Sequence, residues 1–138
     1  MDRTQPVAHI MTREVVSVQV DQKLSDARRV LAEHPFHHVP VLRGRLLVGV
    51  LSPADILPLT LEAYIGDPAT VAAHLDAAHT IEGVMTHEPL TVQPAEPLIR
   101  AAELLAEGAF HSLPVVDGKG ELVGIITSTD ILRVVVAG

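Results

Sequence analysis

The feature that most constrains this chain is a repeat within it. Gly49-Val50-Leu51-Ser52-Pro53-Ala54-Asp55 returns as Gly124-Ile125-Ile126-Thr127-Ser128-Thr129-Asp130, and each copy runs on into Ile-Leu. The match extends upstream: Met11-Thr12 falls on Met85-Thr86, Phe36-His37 on Phe110-His111, Pro40-Val41 on Pro114-Val115, and Leu47-Val48-Gly49 on Leu122-Val123-Gly124. Met85 against Met11 is an offset of 74 and Asp130 against Asp55 one of 75, so the second copy has one residue inserted in its hairpin. A period on this scale decides the fold class before any single element does.

Each copy reads as β-α-β-β-α. In the first, Val15 to Val18 is a short strand, and Lys23 to Glu33 a helix with Leu24, Ala27 and Leu31 on one face, ended by Pro35. His38 to Leu42 and Leu46 to Leu51 form a hairpin around Arg43-Gly44, and a helix opens at Ser52 with Pro53 at its first position, to be stopped or kinked by Pro58. The second copy has a strand from Leu90 to Val92, a helix from Pro97 to Glu107 closed by Gly108, a hairpin around Asp117-Gly118-Lys119-Gly120, and a helix from Thr127 to about Val135. The expected organisation is repeat 7–57, a helical connector 58–80 bearing Val71, Leu75 and Ala78, and repeat 81–135. Repeats this small bury little alone, so two should pack sheet against sheet into one α+β unit. With no Trp, one Tyr and two Phe, the core must be aliphatic.

The duplicated turn admits two chemistries. Ser52 and Asp55, or Thr127 and Asp130, have the spacing of a capping box, in which the hydroxyl and the acid satisfy each other's backbone amides at a helix start. The same groups can serve a ligand, the hydroxyl and helix N-terminus holding a phosphate and the carboxylate accepting from a vicinal diol such as ribose. Recurrence of the whole pattern favours the ligand.

Charge and composition exclude several classes. Ten Lys and Arg against seventeen Asp and Glu give a net charge of −7, which disfavours nucleic acid and anionic membrane surfaces. Without cysteine there is no disulfide, thiolate metal site or thiol nucleophile. Neither a signal region nor a long uncharged apolar run is present, so a cytoplasmic protein is expected. The cluster His34-Pro35-Phe36-His37-His38 does not suggest a metal site, because neighbouring strand residues point to opposite faces. Neither Ser52 nor Thr127 has a histidine at hydrogen-bond spacing, and no catalytic residue is identified.

Taken together, Met-Thr before the first strand, Leu-x-x-Ala in the first helix, the Pro-Val and Leu-Val-Gly strands, and Gly-x-x-Ser/Thr-x-x-Asp before Ile-Leu resemble a tandem pair of cystathionine β-synthase (CBS) domains, a Bateman module. The resemblance covers nearly the whole chain. It implies pseudo-twofold packing through the sheets, a flat homodimer, and two clefts for adenosine nucleotides, each drawing on both repeats. It places Asp130 at the ribose, Thr127 at phosphate, Ile125 against adenine and His111 near the phosphates, closed by Thr12, Val16, Phe36 and His37. The other cleft would use Asp55, Ser52, Val50 and His37, closed by Thr86, Leu90, Phe110 and His111.

Pro53 and Ala54 stand where the second copy has Ser128 and Thr129, removing two hydroxyls and one N–H, so the first cleft is expected to be the weaker. Few basic residues are available to offset a triphosphate, which favours AMP or ADP over ATP. The expected protein is therefore a regulatory, non-catalytic sensor with no required cofactor, acting on an effector protein that the sequence does not name. A ligand-free dimerisation module and a binder of S-adenosylmethionine are the alternatives.

Overall fold

Short β-branched runs punctuated by glycine and proline set the strands, and apolar residues three and four apart set the helices between them. The computed structural model describes residues 2–34, 38–64 and 67–138. Its chain divides into two compact units, one formed by Val16–Gly44 and Val48–Pro89, the other by Met1–Val15, Arg45–Leu47 and Leu90–Gly138. Both mix strands and helices, giving the α+β class expected.

In the Val16–Gly44 unit, β1 (Val18–Gln19) runs parallel to β2 (Val39–Arg43), with Val18 opposite Val41. Beyond β2 come β3 (Leu46–Leu51) and then β4 (Thr86–His87), which pairs antiparallel with β3 through Val50 and Thr86. Against this sheet lie α1 (Leu24–Glu33), α2 (Pro53–Ala63), α3 (Val71–Ala78) and the short α4 (Ile81–Val84). Leu24, Val39, Val41, Leu51, Leu75 and Ile81 are fully buried in one aliphatic cluster. The connector helix α3 belongs to that core through Val71 and Leu75, while Ala78 is exposed. Its Asp76 also accepts from the Ser25 backbone N–H at 2.9 Å and hydroxyl at 2.6 Å, satisfying the start of α1.

The other unit holds α5 (Leu98–Ala106), an antiparallel hairpin of β5 (Ser112–Val116) and β6 (Leu122–Thr127), and α6 (Ser128–Ala137). The pairing of β5 with β6 carries a register shift between Val115 and Val116. Leu98, Leu113, Val115 and Ile126 form its core, and Val7 and Met11, from a chain start containing a 3-10 turn at Val7–His9, are buried with them. This chain start is anchored by Val7 N–H to the Glu96 carbonyl at 2.9 Å and by Leu98 N–H to the Gln5 carbonyl at 2.7 Å.

Each repeat's lead-in thus completes the unit built on the other repeat. The approach depends on two glycines. A Cβ on Gly124 would lie 2.7 Å from the Met11 sulfur and 2.9 Å from the Thr12 carbonyl oxygen, and one on Gly49 would lie 2.5 Å from the Met85 sulfur and 2.8 Å from the Thr86 carbonyl oxygen.

Several boundaries differ from expectation. Pro58 does not end α2, which continues to Ala63: the carbonyl it leaves without a helical partner belongs to Ala54, an exposed residue that water can reach. The strand expected at Leu90 to Val92 is reduced to a single parallel bridge of Val92 to Val115. Likewise, the first strand comprises Val18–Gln19 rather than Val15 to Val18. Hairpin β2–β3 turns at Gly44 and Arg45, one residue later than expected, with Gly44 at φ 63°. The Pro35 expected to end α1 lies outside the described residues, but α1 stops at Glu33 and His34 is extended, as a residue before proline prefers.

Replacing Gly124 with Ala should destabilise the protein by about 1–3 kcal/mol, the usual range for overpacking. Trimming Met11 to Ala in the same chain should not restore stability, because the second obstacle is the Thr12 backbone. Urea denaturation of the two variants checks this.

Candidate functional site

The two duplicated turns are the places where the structure gathers polar side chains around a strand end. At the first, Ser52 caps α2: its Oγ accepts from the Asp55 N–H at 3.3 Å, and Asp55 Oδ2 accepts from the Ser52 N–H at 2.9 Å. At the second, Thr127 Oγ1 accepts from the Asp130 N–H and Asp130 Oδ2 from the Thr127 N–H, both at 3.0 Å. Both capping boxes are therefore complete. The carboxylates still have lone pairs to offer, since a carboxylate presents about four acceptor positions. Each capping hydroxyl accepts through its oxygen and keeps its proton to donate.

Asp130 is the more enclosed acid, only 8% exposed. Thr12 reaches it from the chain start, its Oγ1 lying 3.2 and 3.4 Å from the two carboxylate oxygens. The backbone sets this up, because Thr12 and Ile125 exchange hydrogen bonds of 2.8 and 2.9 Å across an antiparallel bridge. Thr86 pairs with Val50 in the equivalent way, yet among the described residues no hydroxyl bond runs from Thr86 to Asp55. The two turns share a backbone plan and differ in how far the acid is neutralised by hydrogen bonding.

The start of α6 is less open than a bare helix end. The Ser128 N–H donates to the His111 carbonyl at 3.0 Å, and the Ser128 hydroxyl lies at 3.4 Å from the same oxygen. With the Thr127 and Asp130 amides also engaged, the groups left to meet an anion are the Thr129 N–H, the Thr127, Ser128 and Thr129 hydroxyls and the helix dipole. Thr129 is exposed.

Of the residues expected at the second cleft, Thr12, Ile125, Thr127, Asp130 and the His111 carbonyl come together in one unit. Val16, half-buried, belongs to the other unit, and Phe36 and His37 lie outside the described residues. Of the first cleft, Val50, Ser52, Asp55 and Thr86 share a unit, whereas Leu90, Phe110 and His111 belong to the other. The Leu90 and Phe110 side chains are exposed. Sequence reasoning missed the function of Gly49 and Gly124 in admitting the Met-Thr segments, although both motifs recur together and that joint recurrence was the available signal.

Among the described residues, no three or more His, Cys, Asp or Glu side chains are arranged to hold a metal ion. Nor is any described helix long and apolar enough to cross a membrane. An apolar groove lies apart from the turn's polar groups, between α1 and α2, lined by Arg28, Leu31, Pro53, Ile56, Leu57 and Thr60.

Thr12→Val removes the hydroxyl facing a nearly buried carboxylate and should lower ligand-free stability by about 1 kcal/mol, as expected for one net hydrogen bond. Thr86→Val should cost less, because its hydroxyl does not serve Asp55. Chemical denaturation of the two variants, compared with the parent chain, measures the difference.

Comparison with known proteins adds the family. A model of the CBS domain matches residues 7–61 and 81–137. CBSX2 from Arabidopsis thaliana, solved in complex with AMP, is 30% identical, with a TM-score of 0.78 over 96% of this chain and 97% of that one. The CBS domain pair of protein MJ0100, solved with 5′-methylthioadenosine and S-adenosyl-L-methionine, is 25% identical, with a TM-score of 0.72 over 95% of this chain and 99% of that one. Similar curated relatives include the homoserine O-acetyltransferase of Methanococcoides burtonii, 32% identical over 94% of this chain, and the inosine-5′-monophosphate dehydrogenase of Korarchaeum cryptofilum, 29% identical over 86% of it. The matched part spans only 24% and 22% of those two proteins, respectively. With a match to each of its halves and the same turn built in each unit, the chain belongs to the CBS-domain family, as a tandem pair.

Proposed function

We propose that this chain is a regulatory, non-catalytic module that binds an adenosine nucleotide, AMP or ADP in preference to ATP, and passes its occupancy to an effector protein. The observation that carries the reading is the Thr127 turn. A nearly buried carboxylate with spare lone pairs, Asp130, stands beside a row of hydroxyl donors at a helix start. That arrangement suits a diol at one end and a modest anionic charge at the other. No ion pair reaches Asp130 among the described residues, and the chain's net charge is −7, so a triphosphate would find little to offset it. The AMP complex of CBSX2 and the adenosyl ligands of MJ0100 support the ligand class. A cytoplasmic location fits the role.

A regulatory rather than catalytic role is supported by what surrounds the hydroxyls. Thr127 Oγ1 is held by a backbone amide, and Asp130 by an amide and the Thr12 hydroxyl, an arrangement that binds and orients but provides no activated nucleophile. The enzymes among the relatives have three quarters or more of their length outside the match.

One observation favours a second reading. Both capping boxes are complete without a ligand, as a purely structural module would require. For the same reason Asp55→Ala and Asp130→Ala should each lower stability by about 1 kcal/mol, and a melting curve cannot choose between the readings. Affinity can. Hydrogen bonds to a charged acceptor contribute about 1.5 to 3 kcal/mol each, so Asp130→Ala should weaken AMP binding at least tenfold in calorimetry. Unchanged AMP affinity in that variant would leave only the capping role.

We also propose a homodimer. Leu57 and Leu61 on α2 are 58% and 67% exposed, and Leu132 and Val136 on α6 are 60% and 84% exposed, while Ile131 and Val134 turn inward. A helix apolar on two sides calls for a second surface. Sedimentation at micromolar concentration should show twice the 14.7 kDa chain mass, and a monomer throughout that range contradicts it.

A further inference from the structure

We infer that β4, the Thr86–His87 strand, is a releasable strap: it lifts from β3 as a local unit, eased by backbone strain at Glu88, while the matching crossing at Thr12 stays closed. Among the described residues, Glu88 is the one non-glycine with a positive φ, 48°. Residues that carry a Cβ adopt this left-handed conformation rarely, and where it persists the surrounding structure must hold it in place. Pro89 follows. Its ring fixes its own φ and biases the residue before it towards extended backbone, so Glu88 is held against two preferences at once. The matching residue of the first copy, Glu14, precedes Val15 and has no such backbone. The strain thus belongs to one copy of a duplicated crossing.

That copy also has fewer fastenings. Met85, 6% exposed, is buried against Gly49 and anchors one end of the segment. The two residues after it, Thr86 and His87, form the outermost strand of the sheet, and both are exposed. In the first copy the Thr12 hydroxyl ties the crossing to Asp130, whereas among the described residues no such bond runs from Thr86 to Asp55. What holds β4 beyond its pairing with β3 is an exposed contact of 2.9 Å between the His87 ring and the Glu82 carbonyl. Glu88 itself lies just before the chain leaves one compact unit, which ends at Pro89. A short, exposed edge strand between a buried anchor and a strained bend has the properties of an element that opens at a lower free energy than the fold as a whole. Its release would free Thr86 from Val50 and bare the edge of β3.

Hydrogen exchange followed by NMR on the full chain tests this at single amides. The paired residues Thr86 and Val50 should exchange at least about tenfold faster than the equivalent pair, Thr12 and Ile125. Asparagine tolerates the left-handed region, so Glu88→Asn should slow exchange at Thr86 and Val50 about fivefold, which is about 1 kcal/mol, and leave Thr12 and Ile125 within about twofold. Glu88→Asp, which keeps the charge and tolerates the same backbone, should act likewise, and it carries the test should the asparagine variant not fold. Glu14→Asn relieves no strain and should change neither pair. Equal protection at the two crossings overturns the inference, as does a Glu88 variant that leaves β4 unchanged, speeds its exchange or slows both crossings alike. A Glu14→Asn variant that slows Thr12 as much as Glu88→Asn slows Thr86 overturns it too.

Discussion

The close passage of a Met-Thr segment over a side-chain-free strand position is the contact on which the rest of this structure depends. At Gly124 and Gly49 the crossing backbone comes so near that even a Cβ would meet a carbonyl oxygen. Because it comes that near, Thr12 and Ile125 can exchange two backbone hydrogen bonds, and Val50 can pair with Thr86. Met11 and Met85, one residue earlier, are then drawn into the aliphatic cores, where an unbranched thioether fits an irregular gap. Each unit takes into its core a segment whose own repeat lies elsewhere in the chain.

The same contact connects stability to the site. Thr12 comes to Asp130 only because its backbone is pinned to Ile125, and Asp130 is held in place by the amide it caps. An acid that starts a helix cannot change rotamer without exposing that amide, so the cap preorganises an acceptor for any ligand that approaches. Capping is thus compatible with the binding role proposed for the same side chain. The cost of orienting the carboxylate is met on folding rather than on binding.

Duplicated sequences also reveal where constraint is relaxed. The glycines, methionines, threonines, capping hydroxyls and acids are the same or nearly so in both copies, and all belong to the crossing or the cap. Pro53 and Ala54 have departed from Ser128 and Thr129 at positions where backbone geometry makes no demand for a hydroxyl, since proline is well suited to the first turn of a helix.

How much of this was legible in the residues varies with the range of the interaction. Leu24, Ala27 and Leu31 marked the buried face of α1, and Ser52-x-x-Asp55 and Thr127-x-x-Asp130 marked two helix starts, because spacing along a few turns expresses local geometry directly. Pro58 does not stop α2, since whether an unpaired carbonyl is tolerated depends on its exposure, and exposure is set by the surrounding fold. The strand at Thr86–His87 was invisible as well: two residues carry no period, and only the partner strand makes them a strand. Asp76 gave no sign that it would cap α1 from the connector, a contact across fifty-one positions. The sequence by itself determined the repeat, the order of its helices and hairpins, the aliphatic core and the two capped turns, all expressed over short separations or by recurrence. The tertiary structure alone decided that Thr12 serves Asp130 while Thr86 leaves Asp55 without a hydroxyl, because how two segments distant in sequence cross decides whether their side chains come within hydrogen-bond reach.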